Sequence, residues 1–439
     1  MAKTNREKSK TFFRPLIAIG LFLVLPILIG VACELQFFNI VQLDDYCELY
    51  QFKVLSGVVA KPLEVRLVGA GDLRKPGAEQ KLRGKYAELI DRFHKANAHA
   101  VIFDLYFLAP DPSHQEEEAH FADAIQATTN GKSFHVLIGT PGNYGKMSPT
   151  LEKAVGPLQL GSLRTGGERN IWGTPYLRRF ILAEQSLNGN TTQTRFSLDL
   201  KAILAEFGWN TEFLTGDFHP YRRLLVVRGG TSQLWLHCDF TSNMDGTLQA
   251  VLPIQLVNYQ QLHNEGFRTL ESLDSDDLTA YQGRLVLVGD RTDTAGKEKP
   301  DYYAVLPQLK AYGVEIDASI LNDLLIGKYP RRLPTYWEIV VLFVIYWVAA
   351  IFRRFLPQWP LPVALPYIGG KDAAIPIGLV CVWAAYAVVA CLLYRAAYVY
   401  IDVLYPVLAS ACGYFLLGSF LWKQKKSLYG FGGAHANSQ

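Results

Sequence analysis

The chain has 439 residues, of which 50% are hydrophobic and only 19% charged, with a formal net charge of +3. A wholly soluble globular protein carries about 25% charged residues, so part of this chain lies outside water. The Gly, Pro and Cys contents (36, 22 and 6) exclude a collagenous, disordered or disulfide-scaffold protein, and a charge of +3 lacks the basic excess of a dedicated nucleic-acid binder.

About 20 apolar residues cross a bilayer core of roughly 30 Å as a helix. Four segments meet that length: 15–33, which has no charged residue, 335–352, 373–394 and 403–422. Four spans put both termini on one side. Lys3, Arg6, Lys8, Lys10 and Arg14 precede the first span. Arg353, Arg354 and Lys371 lie in the 353–372 loop, and Lys423, Lys425 and Lys426 follow the last span. The excess of basic residues in these segments assigns the 1–14 tail, the 353–372 loop and the 423–439 tail to the cytoplasm. Residues 34–333 are then a large domain outside it. The basic start and Gly30-Val31-Ala32-Cys33 loosely resemble a cleaved leader, but the expectation is an uncleaved anchor. Pro357, Pro360, Pro362 and Pro366 exclude a regular helix from the 356–366 loop.

Within the outer domain the pattern is strand, then helix, repeated. Residues 63–69 read as a strand, 84–97 as a helix and 98–107 as a buried strand. Ser113 is placed to cap a helix running to about 129. Residues 133–139 read as a third strand, 284–290 as a late one and 308–326 as a helix. Continuous apolar strands alternating with amphipathic helices predict an α/β fold, with a mainly parallel sheet flanked by helices. The Thr-, Arg- and aromatic-rich 160–260 stretch predicts an antiparallel β insertion, with hairpin strands at 222–230 and 232–240.

One leading helix, an outer domain of about 300 residues and three clustered trailing helices resemble the plan of the type-two CHASE family. These are extracytoplasmic sensory modules of bacterial signalling proteins. Local motifs carry the same resemblance. Val101-Ile102-Phe103-Asp104 looks like the family's strand ending in Asp. Leu285-Val286-Leu287-Val288-Gly289-Asp290 looks like its late strand ending in Gly-Asp. Gly313-Val314-Glu315-Ile316-Asp317-Ala318 looks like its helix leading to the membrane. The likeness covers about residues 12–422. Two features depart from it. Asp293 is present, but Lys299-Pro300-Asp301 stands where the family shows Thr-Pro, and only 17 residues follow Trp422 where family members usually continue into an effector domain. The expectation is that any output passes through another polypeptide.

Catalytic motifs fail inspection. Gly131-Lys132-Ser133 lacks the upstream glycine of a phosphate loop, since position 126 is Gln126. Gly69-Ala70-Gly71 follows a strand, but Arg74 stands where a dinucleotide turn needs its third glycine. His114 and His120 flank acids, which reads as a solvated first helical turn and not as a metal site. In His237-Cys238-Asp239 neighbouring residues point to opposite faces of a strand, which argues against a catalytic or metal cluster there. No cofactor and no metal are expected.

A ligand site follows from architecture instead. Parallel sheets bind ligands beyond the carboxyl ends of their strands. The candidates there are Gly71, Asp72, Asp104, Thr140, Gly289 and Asp290, with Asp104 and Asp290 preferred because the family resemblance falls on the same two. Gly and Asp also stop strands and cap helices, so the structural alternative stands beside the functional one. An oxidising compartment would allow Cys47 and Cys238 to pair, although sequence does not give their separation. Ala409, Gly413, Gly418 and Ser419 make the last span rich in small residues. Such residues permit close helix packing, either within one chain or against a partner. Glu338 and Asp402 read as paired or solvated groups near the outer interface.

The first reading is therefore a non-enzymatic sensory or adaptor subunit of the bacterial inner membrane, with both termini cytoplasmic and the large domain periplasmic. That domain would bind a ligand or protein and pass its state to a partner through the transmembrane bundle. The partners are the bilayer and separate protein subunits, a second copy of the chain among them, and not nucleic acid. The rival reading is a scaffold subunit of an envelope, secretion or surface-assembly complex.

Overall fold

The computed structural model describes residues 17, 19–34, 63–71, 73, 77–108, 112–129, 134–140, 146–155, 160–162, 165–169, 175–188, 191–209, 214–242, 246–254, 267–270, 272–274, 278–290, 302–306, 309–355, 360–363 and 373–421. The chain divides into two units, Ser56–Arg331 and Met1–Leu55 with Arg332–Gln439.

The first unit is built on a six-stranded sheet. Its strands are β1 (Val65–Gly69), β2 (Ala100–Asp104), β3 (His135–Thr140), β4 (Leu160–Ser162), β13 (Phe267–Arg268) and β14 (Leu285–Gly289). Their order is β13-β1-β14-β2-β3-β4, and every pairing is parallel. The late strand β14 is inserted between β1 and β2, so the sheet's centre comes from opposite ends of the domain sequence. Its strands are apolar on both faces because both are covered. Leu67, Ile102, Leu137 and Leu287 face one core. Val68, Phe103, Ile138 and Val288 face the other. Helices α2 (Ala78–Lys95), α3 (Gln115–Thr129) and α4 (Pro149–Val155) supply the second core, whereas α5 (Leu198–Glu206) and α6 (Gly313–Leu325) supply the first. Helix α2 starts at Ala78, six residues before the sequence expectation.

The expected antiparallel insertion is present as two further sheets. Strands β8 (Leu214–His219), β9 (Leu224–Gly229) and β10 (Ser232–His237) form a meander. The other sheet is centred on β6 (Pro175–Asn188), which pairs antiparallel with β5 (Thr165–Arg169), β7 (Thr191–Phe196) and β12 (Leu248–Pro253). Beyond it lie β11 (Asp239–Ser242), β15 (Tyr302–Leu306) and β16 (Leu309–Tyr312). Strand β16 corrects the sequence reading at one place. Residues 309–312 pair with β15 in the register Tyr302↔Tyr312, so the predicted 308–326 helix begins only at Gly313. The Tyr312 N–H donates to Glu315 Oε2 at 3.1 Å, which closes the first turn and sets that boundary. Cys238 separates β10 from β11, and these two strands belong to different sheets.

Helix α6 runs antiparallel to the parallel strands. At its start Val314 lies against Gly289, the last residue of β14. Towards its end the Asn322 Oδ1 accepts the Glu64 N–H at 2.7 Å, just before β1 begins. The helix therefore spans the sheet from carboxyl ends to amino ends.

The second unit holds apolar helices. A π-helical turn, Gly20–Val24, leads into α1 (Leu25–Glu34). Helix α7 (Thr335–Phe355), helix α8 (Ile377–Ala397) and α9 (Leu404–Cys412) with its π-helical extension Gly413–Leu417 follow. Thr335–Arg353, Ile377–Ala397 and Leu404–Leu421 are long and apolar enough to cross a membrane, and Gly20–Cys33 is a shorter apolar helix among the described residues. The third span begins later than 373, because 373–376 pairs as a strand with 360–363 in the Pro-rich loop. Ile29, Cys33, Leu342, Tyr346, Tyr405 and Ala409 form the centre of this unit.

Candidate functional site

The carboxyl ends of β2 and β14 lie side by side, in the register Gly289↔Asp104. Asp290 follows directly on the neighbouring strand. Helix α6 closes over this edge because Gly289 has no side chain. A Cβ there would stand 2.3 Å from Val314 Cγ2. This approach brings Asp317, one turn into α6, onto Asp104, and the two side chains share a hydrogen bond. Helix α5 adds Asp199 to the same place. Its start is fixed by the Ser197 Oγ, which accepts the Leu200 N–H at 3.2 Å. Asp199 and Asp317 are 4% and 5% exposed, while Asp104 is partly buried.

Asp104 thus lies within electrostatic reach of Asp290 and Asp199 and shares a hydrogen bond with Asp317, which requires one of that pair to hold a proton. Burial pushes Asp104 up to about 6, against the hydrogen bond from Asp317 and with the Asp290 charge adding to the rise. Burial also pushes Asp199 well above the ordinary carboxylate range, and the nearby Asp104 charge pushes it further. Desolvation and like-charge repulsion act in one direction on Asp104 and Asp199, so these two keep protons that exposed aspartates release. Such a site offers both O–H donors and carboxylate acceptors, and the charge on Asp104 changes near pH 6.

A family model described as the CHASE2 domain matches residues 62–352, which include every element just described. The chain belongs to the CHASE2 domain family. CHASE2 domains are extracytoplasmic sensory modules, and the three long apolar helices fit a membrane protein. No curated protein and no solved structure matches the chain.

The remaining predicted residues of this CHASE2 domain separate into two groups. Asp104, Asp290 and Gly289 come together. Thr140 ends β3, on the far side of β2 from β14, and is partly buried. Gly71 has φ +93°, and a Cβ there would meet Leu82 Cδ1 at 3.0 Å and Leu270 Cδ2 at 3.4 Å. Both Gly71 and Gly289 are thus accounted for by packing against their neighbours. Asp72 and Cys47 lie outside the described residues, and with Cys47 the proposed pairing. Cys238 is 5% exposed in the first core, where burial pushes its thiol well above the usual range. His114 Nδ1 stands 3.7 Å from Glu117 Oε1. Among the described residues no three His, Cys, Asp or Glu side chains are gathered so as to hold a metal ion.

Sequence reasoning missed Asp199 and Asp317 as members of the site. Asp317 lay within the quoted Gly313–Ala318 motif, about one helical turn past Val314, which packs over the strand-end Gly289. Asp199 carried only the signal of a Ser197 cap two residues before it.

A buried arginine supports the same end of the CHASE2 sheet. Arg83 on α2 is fully buried. Its Nε donates to Glu79 Oε1 at 2.7 Å, its Nη1 pairs with Glu118, and its Nη2 reaches the Leu108 carbonyl at 2.5 Å. Glu118 also accepts from Ser148 Oγ, which in turn caps α4 through the Leu151 N–H at 3.1 Å. This network fastens α3, α4 and the segment after β2 to α2. Next to it the Tyr86 hydroxyl donates to the Ala70 carbonyl at 2.7 Å.

In the membrane unit Ala409, Gly413 and Gly418 of the last span pack within the chain. A Cβ on Gly413 would stand 2.0 Å from the Tyr346 carbonyl oxygen, and one on Gly418 2.6 Å from Arg353 Cδ. Ala409 is fully buried, and the Ser419 hydroxyl donates to the Phe415 carbonyl at 2.5 Å.

Proposed function

We propose that this CHASE2 protein is a non-enzymatic sensory subunit of a bacterial inner membrane. Its domain lies in the periplasm and both termini in the cytoplasm. The carboxylate cluster at the strand ends receives a ligand or a protein contact, and the domain's changed state reaches a protein partner through the apolar helices. The observation that carries this reading is the course of α6. One rigid element holds Asp317 of the cluster near its start, contacts the opposite edge of the sheet through Asn322, and ends at Leu325, shortly before the first trailing span begins at Thr335. A shift of a tilted or sliding helix is a common way to carry a change of state over such a length.

Hydrogen–deuterium exchange on the full chain in lipid nanodiscs tests it. Asp317→Asn removes the ionisable group and keeps the shape. Exchange is expected to change in 326–340 as well as at 313–318. A change confined to the first turn of α6 would refute transmission along the helix.

A further inference from the structure

The membrane unit contains a second charged cluster. Arg332 is the first residue of this unit, and Arg331 is the last of the outer one. Its side chain is 5% exposed. The guanidinium grips Glu338 at the head of α7 with two contacts, Nε to Oε1 at 3.1 Å and Nη2 to Oε2 at 3.3 Å. The same Nη2 lies 4.0 Å from Cys33 Sγ at the end of α1, and 3.8 Å from Asp402 Oδ2. Asp402 is committed to the other two spans. Its Oδ1 accepts the Leu404 N–H at 2.9 Å, which starts α9, and its backbone carbonyl accepts the Tyr386 hydroxyl from α8. One guanidinium thus touches groups at the ends of three apolar helices, and Asp402 links this set to Tyr386 on the fourth.

A buried charge of this kind is poor value as a simple staple. Well-packed apolar residues of the same volume hold helices together as well or better, whereas losing one partner leaves an uncompensated charge. Losing any one contact is therefore costly, which favours making or releasing the set together. Its position is equally specific. Any displacement at the end of the outer domain arrives at Arg332 through a single peptide bond.

We propose that Arg332 is a clasp that couples the outer domain to the bundle: movement of the preceding segment withdraws the guanidinium and frees the three helix ends it holds. This deepens the sensory reading and rests on it, since it names the joint through which the domain's state reaches the spans. The paired state of Glu338 and Asp402 follows from the same contacts.

Cys33 is a built-in reporter, because it is 2% exposed and lies beneath the guanidinium. The test uses the full chain in proteoliposomes, with the five other cysteines replaced by serine or alanine, and a membrane-impermeant maleimide. Cys33 is expected to react slowly in this parent. Arg332→Met should raise the rate roughly tenfold or more, because the buried carboxylates then favour the open form. Glu338→Gln is a milder variant that keeps the side-chain volume and should act in the same direction. In the parent, Asp317→Asn should change the rate by about threefold or more, and this effect should vanish when Arg332 is Met. Three results would each overturn the clasp. Cys33 could stay protected in both Arg332→Met and Glu338→Gln. The Asp317→Asn effect could persist without Arg332. Or Asp317→Asn could leave Cys33 unchanged while it alters exchange along α6, in which case the sensory reading survives and Arg332 is a static staple.

Discussion

Val314 fills the space that a side chain on Gly289 would need, with its Cγ2 2.3 Å from the ideal Cβ position. This one contact sets how closely α6 lies over the strand ends, and so whether Asp317 reaches Asp104.

Gly289→Ala is therefore expected to force the start of α6 outward. Overpacking of this kind costs about 1–3 kcal/mol, and thermal unfolding of the solubilised full chain should show it. Val314→Ala in the same chain removes the opposing methyl groups and should recover most of the loss. If the double variant is no more stable than Gly289→Ala, Val314 is not the obstacle.

The carboxylate cluster makes stability depend on pH. Asp104 goes from an ordinary 3.8 to about 6 in the folded chain. Between these values the folded state binds more protons than the unfolded state, so stability is greatest below the lower value and falls as pH rises through about 6. Asp199 is raised too and adds to the same trend. Asp104→Asn keeps a hydrogen-bonding side chain that does not ionise. It should flatten the melting temperature between pH 4 and 7 and stabilise the chain at neutral pH, by on the order of 1–2 kcal/mol. An unchanged pH profile would remove Asp104 as the group responsible.

Arg83 predicts the opposite kind of loss. Removing it strands Glu118, 4% exposed, and leaves Glu79, which burial has already pushed up, without its cation. Arg83→Met should cost about 3–5 kcal/mol, as breaking a buried pair from one side does. The combined Arg83→Met and Glu118→Leu variant should be less damaged than the single one. Chemical denaturation of all three forms measures the difference.

Much of this architecture was legible in the chain. Strands β2 and β14 were visible as apolar runs ending in Asp104 and Gly289-Asp290, and a covered parallel sheet followed from their being apolar on both faces. What the sequence did not carry was which strand lies beside which. β14 is separated from β2 by most of the domain, and only folding places Asp290 beside Asp104. Asp199 and Asp317 were hidden for a related reason. Each looks like an ordinary acid in the first turns of a helix, and its role depends on where that helix lands. Residues 309–312 were misread as helix because their apolar spacing suits either structure, and the pairing with β15 decided it. Of the two readings of Glu338 and Asp402, paired or solvated, the structure shows pairing with Arg332, whereas the Arg331-Arg332 pair carries no sequence sign of burial, because arginines before a span are usually solvated.

The small residues of the last span give a final prediction. They admitted two readings from sequence, packing within the chain or against a partner, and Gly413 falls on the first. Its missing side chain lets the Tyr346 backbone approach, with the carbonyl oxygen 2.0 Å from where a Cβ would be. The Tyr346 hydroxyl in turn donates to the Leu21 carbonyl at 2.6 Å, so the leading helix is tied to the same place. In a membrane, close backbone approach contributes much of helix association, since apolar burial between helices gains little against lipid. Gly413→Val should therefore push α7 and the last span apart and loosen the leading helix with them. The expected outcome is a lower unfolding midpoint in a denaturing-detergent titration, with Ser419→Val, at a half-exposed position, close to wild type. If both variants behave alike, the approach of Gly413 to Tyr346 is not what holds the bundle.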